Sequence, residues 1–355
     1  MKYTFEITIA GCAVSCAHCY VNGGPDKPIK LSDFMLAANK MFSVFHRMEE
    51  NIDLTLGNEL FCNPDIAEIL SFCNINGRGY FSYESYPVPT TGIALVNHKD
   101  REKSLWALRM AGAKGFMLAV HGGREQHNQI VQNTSAYDGL FQAVELLHFR
   151  GFEILFNLMV SKALAAGFDE VMDKISQYPG AKARLTVPLY VPTPRMRNYQ
   201  ALRADVNDCI QICHKAEKFG MDTSALVQHL QNHCEKAVIE RVIQNGFDFP
   251  AHFSQSPEWA FFHIAQNLDF YYGNVGAHAE YLGNLCEMDE KEIYRSIAEK
   301  PANYNYTTMY SKPIWDTLEQ KIAGLPERAS NLVYPSIEDC LYALLDELGV
   351  QNLLI

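Results

Sequence analysis

Tyr3, Phe5, Ile7 and Ile9 alternate with Thr4, Glu6 and Thr8 at the start of the chain, the period of two that marks a strand with one apolar face. Short apolar runs of the same kind fall near 52–56, 83–89, 115–120, 152–158 and 183–189. Between them, near 31–48, 64–74, 100–111, 136–149 and 167–177, apolar residues recur every three to four positions, the spacing of an amphipathic helix. Ser32-Asp33 before the first helix and Asn63-Pro64-Asp65 before the second are helix-start signals. Strand and helix alternate from residue 1 to about 190, which predicts parallel βα units, and six strands with right-handed crossovers curl into a partial barrel. The expected class is α/β, a partial (β/α)6 TIM-like barrel over 1–200.

Beyond residue 200 the alternation stops. Residues 204–219 and 224–245 read as two long helices. Leu268-Asp269-Phe270-Tyr271-Tyr272-Gly273-Asn274 and Tyr281-Leu282-Gly283-Asn284-Leu285 read as a small hairpin and a following step, with an acidic helix over 287–297. The tail holds Tyr304, Tyr306 and Tyr310, which either floor a pocket or pack an interface, and then helices near 313–323 and 336–348. Residues 201–355 are thus expected to form a mostly helical extension containing a small β-hairpin.

Composition narrows the class. With 48% hydrophobic and 20% charged residues over 355 positions, the chain has the make-up of a globular protein with a substantial core. A net charge of -11 and no long basic run argue against a nucleic-acid partner or a membrane surface. No apolar run approaches the roughly 20 residues of a membrane-spanning helix, and Met1-Lys2 leads straight into a strand instead of a secretory segment. The expected location is cytoplasmic, where most of the ten cysteines are free or metal-bound.

Three of those cysteines stand together directly after the first strand, in Gly11-Cys12-Ala13-Val14-Ser15-Cys16-Ala17-His18-Cys19-Tyr20. Thiolates so close in a chain without a secretory signal read as metal ligands, and soft sulfur selects zinc or an iron–sulfur cluster. A structural zinc site takes four protein ligands, and no second pair of suitable spacing occurs. A cubane on three cysteines leaves one iron open. The CxxxCxxC segment resembles that of the radical S-adenosylmethionine (SAM) family, whose open iron binds the amino and carboxylate groups of SAM. The resemblance implies Cys12, Cys16 and Cys19 as ligands of a [4Fe-4S] cluster, SAM as second cofactor and a partial barrel as fold. It also implies that His18 meets the adenine, through main-chain atoms.

In α/β folds of this kind ligands sit at the carboxyl ends of strands, so the residues just after each strand are the candidates. Gly57-Asn58-Glu59-Leu60 is similar to the family's Gly-Gly-Glu-Pro motif, with Asn58 and Leu60 substituted, which implies Gly57, Asn58 and Glu59 at the amino group of SAM. The alternative is an ordinary turn with a solvated Glu. Pro89-Thr90-Thr91-Gly92 resembles the family's Thr-Asn-Gly turn and brings Thr91 near the cofactor. Ala119-Val120-His121-Gly122 makes His121 a pocket candidate, weighed against a structural histidine, and Ala119 stands where relatives often carry a ribose-contacting Ser. Glu125-Gln126-His127-Asn128 resembles a Glu-x-His-Asp stretch of the peptide- and sulfatase-modifying branch. Asn157 and Lys162 fall where relatives place polar residues against the ribose and the methionyl carboxylate. Asn157 in so apolar a strand needs a partner, a ribose hydroxyl or a neighbouring backbone group. Arg195, in Val191-Pro192-Thr193-Pro194-Arg195-Met196-Arg197, is either a carboxylate contact or part of a solvated exit loop.

The hairpin and acidic helix resemble the SPASM/twitch extension of the same family. Relatives carry auxiliary-cluster cysteines around that hairpin; here Gly273-Asn274 and His278 stand in the region with only Cys286 near, so the motif is degraded or absent. Cys209, Cys213, Cys234 and Cys286 are the candidates for an unusual auxiliary cluster or for a thiol that returns a hydrogen atom, although helical cysteines usually serve as small hydrophobes. The resemblance implies reductive cleavage of SAM to a 5′-deoxyadenosyl radical, fed by a flavodoxin-like electron donor, acting on a small-molecule or peptide substrate in natural-product or peptide tailoring. The alternatives are a radical epimerase or dehydrogenase of a small metabolite and, in another class, a zinc or Fe-S binding protein without radical chemistry.

Overall fold

The computed structural model describes residues 2–19, 21, 23–48, 50–191, 193–245, 259–273, 279–300, 320–322 and 330–349. Strand β1 (Lys2–Thr8) buries Tyr3, Phe5 and Ile7 on one face, while Thr4 and Glu6 on the other are half-buried. Helix α1 (Leu31–Met48) covers the apolar face with Phe34, Ala37, Ala38, Met41, Phe42 and Phe45, the stripe its period requires. Strand β2 (Asn51–Gly57) pairs parallel with β1, Lys2 against Asn51 through Thr8 against Gly57. Then follow α2 (Ile66–Asn76), β3 (Val88–Thr90), α3 (Ile93–Asn97), α4 (Arg101–Met110), β4 (Gly115–Val120), α5 (Arg124–Val131), α6 (Ala136–Phe149), β5 (Glu153–Met159), α7 (Lys162–Ile175) and β6 (Lys182–Thr186).

Strands β3 to β6 form a parallel sheet in chain order. The segment leading into β3 meets β2 through an isolated parallel bridge between Leu54 and Phe81, so six strands succeed one another as the alternation predicts. The third strand differs from the expected 83–89. It touches β2 at Phe81 and becomes regular only at 88–90, because Pro87 and Pro89 lack the N–H that a longer ladder needs. The sixth ends at Thr186, just before Val187-Pro188, for the same reason. Helix α7 begins at Lys162 and not near 167, since the Ser161 hydroxyl caps the Leu164 N–H at 3.1 Å.

The rest of the chain returns to the first sheet. After α8 (Pro194–Tyr199) and α9 (Val206–Lys218), the helix expected over 224–245 is two, α10 (Ser224–Asn232) and α11 (Glu235–Asn245). The break at His233-Cys234 exists because 332–334 binds there: Tyr334 N–H donates to the His233 carbonyl at 3.1 Å and Glu235 N–H to that of Leu332 at 3.0 Å. Strand β7 (Trp259–Ile264) pairs parallel with the free edge of β1, and β8 (Asp269–Tyr272) and β9 (Glu280–Asn284) continue antiparallel, giving the order β2-β1-β7-β8-β9. The Leu-Gly-Asn-Leu step is therefore mostly strand. Helices α12 (Glu290–Ala298) and α13 (Ile337–Glu347) lie within a few residues of their expected spans. Asn274, His278, Tyr304, Tyr306 and Tyr310, and most of the helix expected near 313–323, lie outside the described residues. Among the described residues no helix is long and apolar enough to cross a membrane.

Phe5, Phe45 and Phe262 mark the centre of the core under β1. Phe5 stacks on Phe262 with ring centroids 4.9 Å apart and meets Phe45 at 4.6 Å. Residues of opposite parity on β1, β4 and β5, namely Glu6, Met117, Ala119 and Asn157, face a cavity inside the curved sheet.

Candidate cofactor cavity

The loop after β1 is pinned at several points. Cys12 N–H donates to the Gly24 carbonyl at 2.7 Å and Ala17 N–H to that of Ile130 at 2.8 Å. Gly11 has no alternative here, since a Cβ would lie 2.3 Å from the Gly24 oxygen. Asn63, with no exposed surface, donates to the carbonyls of Ile9 at 2.9 Å and Ile29 at 3.1 Å and so fixes where the loop leaves the strand. Its only signal in the sequence was the Asn-Pro-Asp helix start.

Cys12, Cys16 and Cys19 line one cavity of about 280 Å³. Burial pushes the Cys12 thiol up to about 12, helped by the neighbouring Glu59, and raises Cys16 to about 12 as well. Thiols so placed ionise when a bound cation supplies compensating charge. Cys19 Sγ accepts the Gly23 N–H at 3.0 Å. Among the described residues no three His, Cys, Asp or Glu side chains are arranged to hold a single metal ion. Three thiols lining one cavity are a soft donor set, of the kind that suits an iron–sulfur cluster or zinc.

Ten of the candidate residues meet here: the three cysteines, His18, Gly57, Asn58, Glu59, Thr91, His121 and Asn157 all line the cavity. Glu59 is 3% exposed. Its Oε1 accepts from Thr90 Oγ1 at 2.9 Å, and its Oε2 from Thr91 N–H at 2.6 Å and Thr91 Oγ1 at 2.8 Å. Burial raises its pKa, and these donors oppose the rise. Asn58 adopts φ 63°, a left-handed conformation that Asn tolerates better than most residues, and its Nδ2 donates to the Ala10 carbonyl at 3.3 Å. Asn157 finds its partners in the protein: Oδ1 accepts from Arg184 Nε at 3.0 Å and from Thr186 Oγ1.

His18, His121 and His127 form a column in the wall, with ring centroids 4.3 and 5.3 Å apart. Burial holds all three neutral, His18 and His127 down to about 4 and His121 well below its ordinary range. His127 Nδ1 accepts the His121 N–H at 3.3 Å, while the buried Nδ1 atoms of His18 and His121 have no hydrogen-bond partner.

The other candidates are elsewhere. Lys162 opens α7 and donates to the Ala201 carbonyl at 3.0 Å. Arg195 donates to the Gly23 carbonyl and lines an adjoining cavity. Cys209 and Cys213 are buried on α9, Cys234 is buried at the start of α11 and Cys286 is exposed; none lines the cofactor cavity. Glu6, Thr90 and His127 line it without having been singled out as ligands. The signal for Glu6 was the alternation itself, which placed a carboxylate on the inner face of β1.

No protein-family model matches the chain, and no curated protein sequence matches it. Solved structures do. Native anSMEcpe with bound AdoMet and Cp18Cys peptide is similar over 100% of both chains, with 13% identity and a TM-score of 0.52. Native anSMEcpe with bound AdoMet gives a TM-score of 0.53 at 13% identity, over 99% of this chain and 100% of that one. Streptococcus suis SuiB bound to S-adenosylmethionine is similar over 87% of this chain and 68% of that one, at 12% identity and a TM-score of 0.51. The fold is that of these structures, an α/β partial barrel. At these identities the likeness is one of fold, and the strand-end cavity described above is where that fold carries its ligands.

Proposed function

We propose that this protein is a radical SAM enzyme whose Cys12, Cys16 and Cys19 hold a [4Fe-4S] cluster. The observation that carries the reading is the convergence of the CxxxCxxC thiols and the strand-end residues Gly57, Asn58, Glu59, Thr91, His121 and Asn157 on one cavity. When bound, the cluster and SAM supply a 5′-deoxyadenosyl radical able to take hydrogen from an unactivated carbon. The chain's own residues bind and orient. Glu59 and the backbone at 57–58 receive the ammonium of SAM, with Glu59 held in place by Thr90 and Thr91. His18 offers main-chain atoms to the adenine, and Asn157 presents a polar group beside Met117 and Ala119 in the wall. Gly23 N–H stabilises the Cys19 sulfur, and Arg195 holds the Gly23 carbonyl.

The AdoMet bound in anSMEcpe and SuiB supports SAM as ligand, and the Cp18Cys peptide bound in anSMEcpe supports a peptide as one substrate class. Natural-product or peptide tailoring is the favoured outcome, with an electron from a flavodoxin-like donor. Epimerisation or dehydrogenation of a small metabolite fits the same cavity.

The deciding experiment gives anaerobically reconstituted protein SAM and dithionite and measures 5′-deoxyadenosine, with the Cys12/Cys16/Cys19→Ala triple variant as control. Formation by the wild type alone is expected. Cys16→Ala is expected to lose the cubane absorbance near about 400 nm; a colourless wild type with stoichiometric zinc on these thiols would overturn the reading.

A further inference from the structure

A second cavity of about 350 Å³ lies against the cofactor cavity, and the two share Glu6, Val21, Gly23 and Asn58 in their walls. Its other side is built by β7. Because β7 pairs parallel with β1, Glu6 and His263 are register partners and project from the same face of the sheet. His263 is 4% exposed, with Nε2 3.3 Å from Thr8 Oγ1. Its Nδ1 lies 3.5 Å from Glu6 Oε1, close enough to orient the carboxylate, yet makes no hydrogen bond. On the opposite side Glu6 lies over Gly57, where a Cβ would come within 2.7 Å of the carboxyl carbon.

Charge decides what the cavity takes. Its wall carries two carboxylates, Glu6 and Asp26, and one guanidinium, Arg195, which is turned onto the Gly23 carbonyl. Among the described residues no Lys or Arg forms an ion pair with Glu6. An inward-facing carboxylate that has a buried imidazole at ion-pair distance and no Lys or Arg against it is a receptor for an ammonium group.

We propose that this second cavity is the substrate site and that it selects an alkylammonium group, held by Glu6 with His263 as its positioning residue and Asp26 at the rim. The word substrate rests on the radical SAM reading; the preference for an amine does not. A lysine-type side chain and a small aminated metabolite share this chemistry. The position of Glu6 in both walls puts the bound amine beside the cofactor cavity, as an abstraction that needs contact demands.

The test is a saturation-transfer NMR titration of the reconstituted protein with SAM bound, using two matched pairs. Glucosamine against glucose represents the metabolite, and N-acetyl-lysine amide against N-acetyl-norleucine amide the peptide side chain. The amine of at least one pair is expected to bind about tenfold or more tighter than its neutral partner, a difference worth about 1.4 kcal/mol per factor of ten. Glu6→Gln is expected to bring the two within about twofold while keeping the melting temperature, and His263→Phe to reduce the preference several-fold. No preference for either amine in the wild type overturns the proposal without any variant. So does a Glu6→Gln protein that loses SAM affinity but keeps the amine preference, since Glu6 then serves the cofactor. Formation of 5′-deoxyadenosine is read separately, so a protein that cleaves SAM but ignores amines sinks this inference alone.

Discussion

Thr91 donates twice to one oxygen of Glu59, through its N–H at 2.6 Å and its hydroxyl at 2.8 Å. The carboxylate that follows β2 is thereby fixed by the turn after β3. Burial raises the Glu59 pKa from 4.5, so the folded state binds a proton more readily than the unfolded chain above that value. Stability is therefore expected to fall as pH rises from 4.5 through the raised folded pKa. Glu59→Gln should remove that slope, and Glu59→Ala should cost roughly 1–3 kcal/mol by leaving the Thr91 N–H unpaired. Urea unfolding at several pH values reads both. SAM affinity should drop about tenfold in the Ala variant. Equal pH slopes in wild type and Gln variant would remove Glu59 as their cause.

Asn58 stands where the family motif has glycine, and its φ of 63° explains why Asn is accepted there. Asn58→Gly should be near neutral for stability. Asn58→Val puts a β-branched residue into a left-handed conformation and is expected to cost roughly 1–3 kcal/mol. The accompanying shift of Glu59 should weaken SAM binding in proportion, measured by equilibrium dialysis. A Val variant as stable as the wild type would mean that the turn can rearrange.

Much of this was legible in the chain. Strict alternation on β1 and the stripe on α1 needed only periodicity, and the cysteine spacing marked the loop whose three thiols line the cavity. What escaped was long-range. Nothing local in 259–264 says that it pairs with β1, 255 residues from Thr8 to His263, so Glu6 and its partner stayed unseen as a pair. His127 carried a motif resemblance but no sign that it would stack in a column with His18 and His121. The split of 224–245 follows from backbone bonds to residues 332 and 334, which lie about a hundred positions downstream and leave no trace in helical periodicity.

His127 titrates in the acid range because burial lowers it from 6.5 to about 4. Between those values the unfolded chain binds a proton that the folded protein refuses, so stability rises with pH across the window and is lost as pH falls towards 4. The expected contribution is roughly 3 kcal/mol in total, at 1.36 kcal/mol per pKa unit. His127→Asn keeps an acceptor for the His121 N–H and does not titrate. Its unfolding free energy should therefore fall less steeply between pH 6.5 and 4 than that of the wild type. A variant as acid-sensitive as the parent would assign the slope to the other two histidines.

Phe262 carries β7 into the core: it is fully buried, stacks on Phe5 at 4.9 Å and on Phe270 at 5.6 Å. Truncation to Ala leaves a cavity between sheet and helix and is expected to cost roughly 3–5 kcal/mol. The consequence should reach the chemistry, because His263 is the next residue and its placement beside Glu6 depends on the β1–β7 register. A Phe262→Leu variant fills most of the space and should lose less stability while keeping the register. Hydrogen exchange across β1 and β7 distinguishes the cases: faster exchange in both strands for Ala, with β4 and β5 unchanged, is the expected pattern. Exchange confined to β7 would mean that β1 is held by β2 and α1 alone, and that β7 contributes a wall to the cavity without contributing to the barrel's stability.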